Sequence, residues 1–126
     1  MDDEIDTLRH LYDRFNAQDI DEIMTFLTDD VIWANAMDGG HVHGHGAVRA
    51  YWTRQWTMVR AHVEPVGFRA DEGGAVVAEV RQTVRDPEGR PLENQDHGLA
   101  DRTILHVFRF RDGKISRFDA RETEAG

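Results

Sequence analysis

Thr103-Ile104-Leu105-His106-Val107-Phe108-Arg109-Phe110, then Arg111-Asp112-Gly113-Lys114, then Ile115 to Glu122, is the stretch that decides the fold. Asp112-Gly113 is a hairpin turn signal, and the runs on either side alternate as strands do. Alternate residues of a strand share a face, so Ile104, His106, Phe108 and Phe110 point one way. A histidine inside an aromatic stripe is costly to bury unless it is hydrogen-bonded. Histidine is also the side chain whose charge switches most easily near neutral pH. His106 is therefore either a satisfied core histidine or part of a site.

Upstream of this hairpin the pattern is first helical and then β. Asp2, Asp3 and Glu4 suit the positive end of a helix, and Ile5, Leu8, Leu11, Tyr12 and Phe15 follow at helical spacing. That helix is expected to end near Asn16-Ala17. Asp19 is placed to cap a shorter helix carrying Ile20, Ile23, Met24 and Leu27. Thr28-Asp29-Asp30 reads as a turn and Val31 to Ala36 as a short strand, with Val31, Trp33 and Asn35 on one side. A glycine- and histidine-rich loop is expected from Asp38 to Gly46. A third helix is expected from near Ala47, with Val48, Trp52, Trp56 and Val59 along one stripe.

The rest reads as a meander of strands. Val63 to Phe68 contains Pro65, which favours an edge or a bulge. Asp71-Glu72-Gly73-Gly74 is a hairpin-type turn. Ala75 to Arg85 is a long strand with Val76, Ala78, Val80, Gln82 and Val84 on one face and Glu79, Arg81, Thr83 and Arg85 on a solvated one. Asp86 to Ala100 is polar and suits a lid or binding loop. Helices segregated from an antiparallel sheet define an α+β domain, here expected to span residues 1–126 as a single unit. A curved sheet over three helices leaves a partly enclosed apolar space at its open end.

Composition removes several function classes. There is no cysteine, hence no disulfide, thiolate metal site or cysteine nucleophile. The formal charge of −9 repels phosphate backbones and anionic lipid, so neither nucleic acid nor membrane is an expected partner. No apolar run reaches the roughly 20 residues of a membrane span, and the acidic N-terminus is unlike a signal peptide. A soluble, cytoplasmic protein is expected. No serine sits in a nucleophile elbow, and no glycine loop has phosphate-cradling spacing.

Three polar residues interrupt faces expected to be buried: Asn35, Gln82 and His106. Three such interruptions on one sheet suggest a pocket with convergent polar groups; the alternative is that each bonds to nearby backbone. Trp33, Trp52 and Trp56 are core candidates that can also line a ligand cavity. His41, His43 and His45 alternate in a way that invites a metal site. Their glycine-rich setting and the want of a clear fourth ligand beyond Asp38 argue against it. No metal and no cofactor are expected.

Four segments together resemble the nuclear-transport-factor-2-like superfamily, in its SnoaL-like and ketosteroid-isomerase-like branch. They are Phe15 to Asp21, Phe26 to Trp33, Gly44 to Trp52 and His106 to Ile115. They occur in the right order over nearly the full length. The resemblance implies a cone, a curved mixed and mostly antiparallel sheet wrapped around three helices with a cavity at the wide end. It also implies frequent homodimerisation through the sheet. Members include isomerases, polyketide cyclases, epoxide hydrolases, dehydratases and non-catalytic proteins, and the fold alone does not choose among them.

Ketosteroid isomerases pair a carboxylate base with a protonated carboxyl and a tyrosine. The resemblance puts these roles at Asn35, His106 and Leu11, and none of the three residue types is kept. Asparagine is no base, so ketosteroid isomerisation is not expected. Tyr12 is one helical step from Leu11, a turn of about 100°. The expected catalytic pair is His106 as proton-transfer residue and Asn35 as polarising partner. Tyr12, Trp33, Trp52, Trp56, Gln82, Phe108, Phe118 and Glu122 are the expected substrate-binding residues, with His97 and Arg102 as rim candidates. The expected partner is a hydrophobic small molecule, a carbonyl or hydroxyl compound undergoing isomerisation, cyclisation or dehydration. The alternatives are a non-catalytic ligand-binding or dimeric interaction module, and a metal-assisted enzyme using the three loop histidines.

Overall fold

The computed structural model describes residues 2–35, 39–71, 73–90 and 102–122. The first helix, α1 (Asp2–Asn16), buries Leu8, Leu11 and Tyr12, the stripe its spacing predicts. It stops where Gln18 turns into the left-handed region, at φ 57°. The Gln18 amide then donates to the Phe15 carbonyl and the Asp19 amide to that of Arg14. Asp19 caps α2 (Ile20–Met24) by accepting from the Glu22 amide, as expected of a capping aspartate. The Asn16 carboxamide donates to the Val63 carbonyl at 2.8 Å and accepts from its amide at 2.9 Å. The end of α1 is thereby fastened to the sheet edge.

The strands are β1 (Leu27–Ala34), β2 (His41–His43), β3 (Arg60–Ala70), β4 (Val76–Arg85), β5 (Arg102–Arg111) and β6 (Lys114–Glu122), and α3 (Gly44–Met58) follows β2. They form one mixed sheet in the order β2-β1-β6-β5-β4-β3. Only β1 and β6 run parallel; the other pairs are antiparallel. The β5–β6 hairpin turns through Asp112 and Gly113 at positive φ, and β3 lies at an edge with its irregularity between Pro65 and Gly67.

Local propensity gave way to sheet pairing at several places. Thr28-Asp29-Asp30 is not a turn but part of β1, since Leu27 pairs with Ile115 of β6 before a register shift leads to Ile32. Backbone partners on β6 outweigh the weak strand preference of aspartate. Asp29 and Asp30 point to solvent while Leu27 and Thr28 are buried. His41 to His43 is a strand rather than a loop, and α3 begins at Gly44 rather than near Ala47. The cause is the pairing of β2 with β1, extended by Asn35, which donates to the Gly40 carbonyl and accepts from the Gly39 amide. The outer face of β4 is not wholly solvated: Ala75 and Val77 bury there against Val107, with Leu105 packed alongside.

The main core fills the space between the helices and the inner face of the sheet. It holds Leu8, Ile23, Leu27, Val31, Val48, Trp52, Phe108 and Ile115. No described helix is long and apolar enough to cross a membrane.

Candidate functional site

A cavity of about 260 Å3 opens between α1, α3 and the inner face of the sheet. Register sets its layers. Trp33 of β1 lies beside Phe118 of β6, which pairs with Phe108 of β5. One step toward the strand ends, His106 pairs with Ala120 on one side and Ala78 on the other. Farther along β4 comes Gln82, opposite Val63 of β3. All these residues except Ala78 line the cavity, together with Asn35, Tyr12 and Trp52.

His106 is 8% exposed and Tyr12 is 4% exposed, so any polar atom in either ring needs a partner. One such contact joins the two: the Tyr12 hydroxyl and His106 Nδ1 lie 2.9 Å apart. The two rings stack at 5.8 Å, and Phe118 meets the imidazole edge-on at 4.8 Å. Burial pushes the Tyr12 hydroxyl well above its ordinary pKa of 10.0, which keeps it a neutral phenol and a hydrogen-bond donor. The helical step from Leu11 to Tyr12 does not carry Tyr12 out of the site, because both side chains line the cavity.

Of the residues singled out from the sequence, Tyr12, Trp33, Asn35, Trp52, Gln82, His106, Phe108 and Phe118 meet at this cavity. Trp56 does not line it. It stacks behind Trp52 at 6.1 Å and meets Phe15 edge-on at 5.5 Å, while Phe15 itself faces the cavity. Its indole nitrogen is buried without a partner among the described residues. The side chains of Glu122 and Arg102, and all of Asp38 and His97, lie outside the described residues.

Tyr51 and Gln55 of α3 line the cavity and were not foreseen. The stripe on α3 runs Val48, Tyr51, Trp52, Gln55 instead of Val48, Trp52, Trp56, Val59. Gln55, only 5% exposed, interrupts a helical stripe as Gln82 interrupts a strand face, and the same test applied to helices finds it. Among the described lining residues there is no aspartate, glutamate, lysine or arginine; their polar side-chain groups are carboxamides, phenols, indole N–H groups and one imidazole.

The three loop histidines go separate ways. His41 Nε2 lies 2.7 Å from the Asp119 carboxylate on the outer face, and Arg117 holds the same carboxylate at 2.7 Å. His45 Nε2 lies 3.1 Å from the Leu27 carbonyl, and His43 is exposed at the start of α3. Among the described residues no three histidine, aspartate or glutamate side chains gather as metal ligands.

A six-stranded sheet with one parallel pair, folded over three helices around an aromatic cavity, defines the nuclear-transport-factor-2-like class. Within it, the chain belongs to the SnoaL-like domain family, whose model matches residues 8–118. It is similar to a nuclear-transport-factor-2-like protein of unknown function from Burkholderia pseudomallei, at 25% identity and a TM-score of 0.78 over 98% of this chain and 92% of that one. A putative polyketide cyclase from Sinorhizobium meliloti matches at 18% identity and a TM-score of 0.73, over 92% and 94% of the two chains. An epoxide hydrolase from M. tuberculosis, of the LEH-like kind, matches at 18% identity and a TM-score of 0.72, over 95% and 82%. No curated protein matches the chain.

Proposed function

We propose that the chain, acting as one domain, binds a small neutral carbonyl or hydroxyl compound in this cavity and moves a proton on it through His106. The observation that carries the reading is the 2.9 Å bond between the Tyr12 hydroxyl and His106 Nδ1 in the wall of an aromatic cavity. With Nδ1–H donating to the Tyr12 oxygen, the other imidazole nitrogen is the base and the phenolic hydrogen turns toward the ligand. His106 takes a proton from the carbon beside the carbonyl. The electron pair moves onto the carbonyl oxygen, and Tyr12 and the Asn35 amide donate to the oxyanion that forms. The imidazolium returns the proton at another carbon, or to a departing hydroxyl. The first outcome is an isomerisation and the second a dehydration; attack of the carbanion on a second carbonyl of the same molecule, with the imidazolium protonating the alkoxide that forms, is a cyclisation. Gln82 orients the far end of the ligand.

Support comes from a lining of aromatic rings and carboxamides, which suits an uncharged ligand. A structure named as a putative polyketide cyclase and one named as an LEH-like epoxide hydrolase are among the similar structures, which supports a small-molecule ligand. A homodimer, carried over from the resemblance, and a cytoplasmic location, carried over from the composition, belong to the same proposal; sedimentation velocity tests the first and cell fractionation the second.

The test is hydrogen–deuterium exchange at the carbon beside the carbonyl of 2-tetralone, followed by NMR in D2O. The wild type is expected to accelerate exchange, and His106→Ala to slow it by about 10²- to 10⁴-fold while keeping its circular dichroism. Equal acceleration by His106→Ala refutes the proton-transfer role. Binding of 2-tetralone without any acceleration by the wild type selects the non-catalytic ligand-binding alternative.

A further inference from the structure

His106 stands between two alanines. Its register partners are Ala78 on β4 and Ala120 on β6, so neither neighbouring strand sets more than a methyl beside the imidazole. The two flanks differ. Ala78 is fully buried, whereas Ala120 is exposed and lines the cavity. Two residues beyond the Trp33–Phe118 pair along each chain segment come Asn35 and Ala120, and both line the cavity. β6, which carries Ala120, lies between β5, which carries His106, and β1, which leads into Asn35, and adjacent strands lie about 4.8 Å apart. The layer beneath is aromatic: Trp33 and Phe118 stack there at 4.3 Å with an angle of 23°.

These features make a slot with an aromatic floor, an imidazole on one wall and a carboxamide on the other, open to solvent above Ala120. Any residue larger than alanine at position 120 projects into it, because inner-face side chains stand roughly perpendicular to the sheet. We propose that Ala120 is the specificity-determining residue of the site, its methyl keeping open a slot between His106 and Asn35 that admits the edge of a flat ring bearing a carbonyl or hydroxyl oxygen and excludes ligands substituted at the carbon next to that oxygen. This rests on the reading of the cavity as a ligand site.

The test is NMR titration of the isotopically labelled full chain with 2-naphthol and with 1-methyl-2-naphthol, following the His106 ring signals. The wild type is expected to bind 2-naphthol at least tenfold more tightly than the methylated compound. Ala120→Gly is expected to bring that ratio near one. Ala120→Leu is expected to weaken 2-naphthol at least tenfold with an unchanged thermal midpoint, since the position is exposed. If the His106 signals respond in the wild type, with the same Kd in Ala120→Leu and the same ratio in Ala120→Gly, the slot is wrong and the cavity reading stands. If 2-naphthol leaves the His106 signals of the wild type unmoved, both fall. Should Ala120→Leu not fold, the ratio in Ala120→Gly decides.

Discussion

Changing Tyr12 to Phe removes one oxygen atom and tests the central pair directly. The Tyr12 hydroxyl lies 2.9 Å from His106 Nδ1, with both residues less than a tenth exposed. Phenylalanine keeps the ring, its stacking on the imidazole and its edge contact with Phe108 at 6.1 Å. What is lost is the hydrogen bond, leaving a ring nitrogen short of a partner in an aromatic enclosure. Stranding a buried polar group in this way costs about 1–3 kcal/mol. With a urea slope of roughly 2 kcal/mol/M, a 2 kcal/mol loss moves the unfolding midpoint down by about 1 M. His106→Leu should destabilise for the mirror-image reason, since it strands the phenol. In the double variant two apolar groups face each other, so Tyr12→Phe should cost much less there. Urea unfolding of the four proteins then yields a coupling energy of about 1–2 kcal/mol. If the two changes add within about 0.5 kcal/mol, the bond contributes nothing and the account of the pair is refuted.

Asn16→Ala should lower stability by about 1–3 kcal/mol, because Val63 loses a donor and an acceptor at the sheet edge; urea denaturation checks it, and an unchanged midpoint would show that water replaces the clamp freely. Trp56→Phe should change stability by no more than about 1 kcal/mol, as the smaller ring is offset by removal of a buried N–H that has no partner among the described residues. It should also leave 2-naphthol binding unaltered, and calorimetry plus titration measures both. Burial acts to raise the Asp119 pKa, but the hydrogen bonds from Arg117 and His41 outweigh it and hold the carboxyl below its ordinary value. A depressed carboxyl contributes stability that is present above the unfolded pKa of about 3.9 and is lost as pH falls through the folded value. Asp119→Asn should therefore be less stable than the wild type at pH 6, and the difference should shrink below about pH 4; a gap that stays constant down to pH 2 would refute it.

Alternation and helical spacing carried most of the fold into the open because they report burial on one face. The β5–β6 hairpin, the Asp19 cap and the Pro65 irregularity are local events, and each is where its residues put it. The start of β1 and the strand β2 were illegible for a common reason. Thr28-Asp29-Asp30 has poor strand preference and His41-Val42-His43 follows two glycines at positive φ, so only partners on β6 and β1 make these two segments extended. The buried outer cluster of Ala75, Val77 and Val107 was hidden because the neighbouring positions on that face of β4, Glu79 and Arg81, look solvated and are exposed.

The cavity was legible to the degree that polar residues broke apolar faces. That signal finds Asn35, Gln82 and His106, and extended to α3 it finds Gln55. It is blind to Ala120, because an alanine on an inner face reads as ordinary core. The distinction between a buried alanine and one that keeps a space open lies in what stands across from it. Ala78 and Ala120 carry the same side chain beside the same histidine, yet Ala78 is sealed and Ala120 borders the cavity. Alternation names residues that intrude on a face. A ligand also needs positions where nothing intrudes, and those follow only from register between strands distant in sequence. The polar pair here joins α1 to β5 and its open flank lies on β6, so the site exists only once the sheet has closed over the first helix.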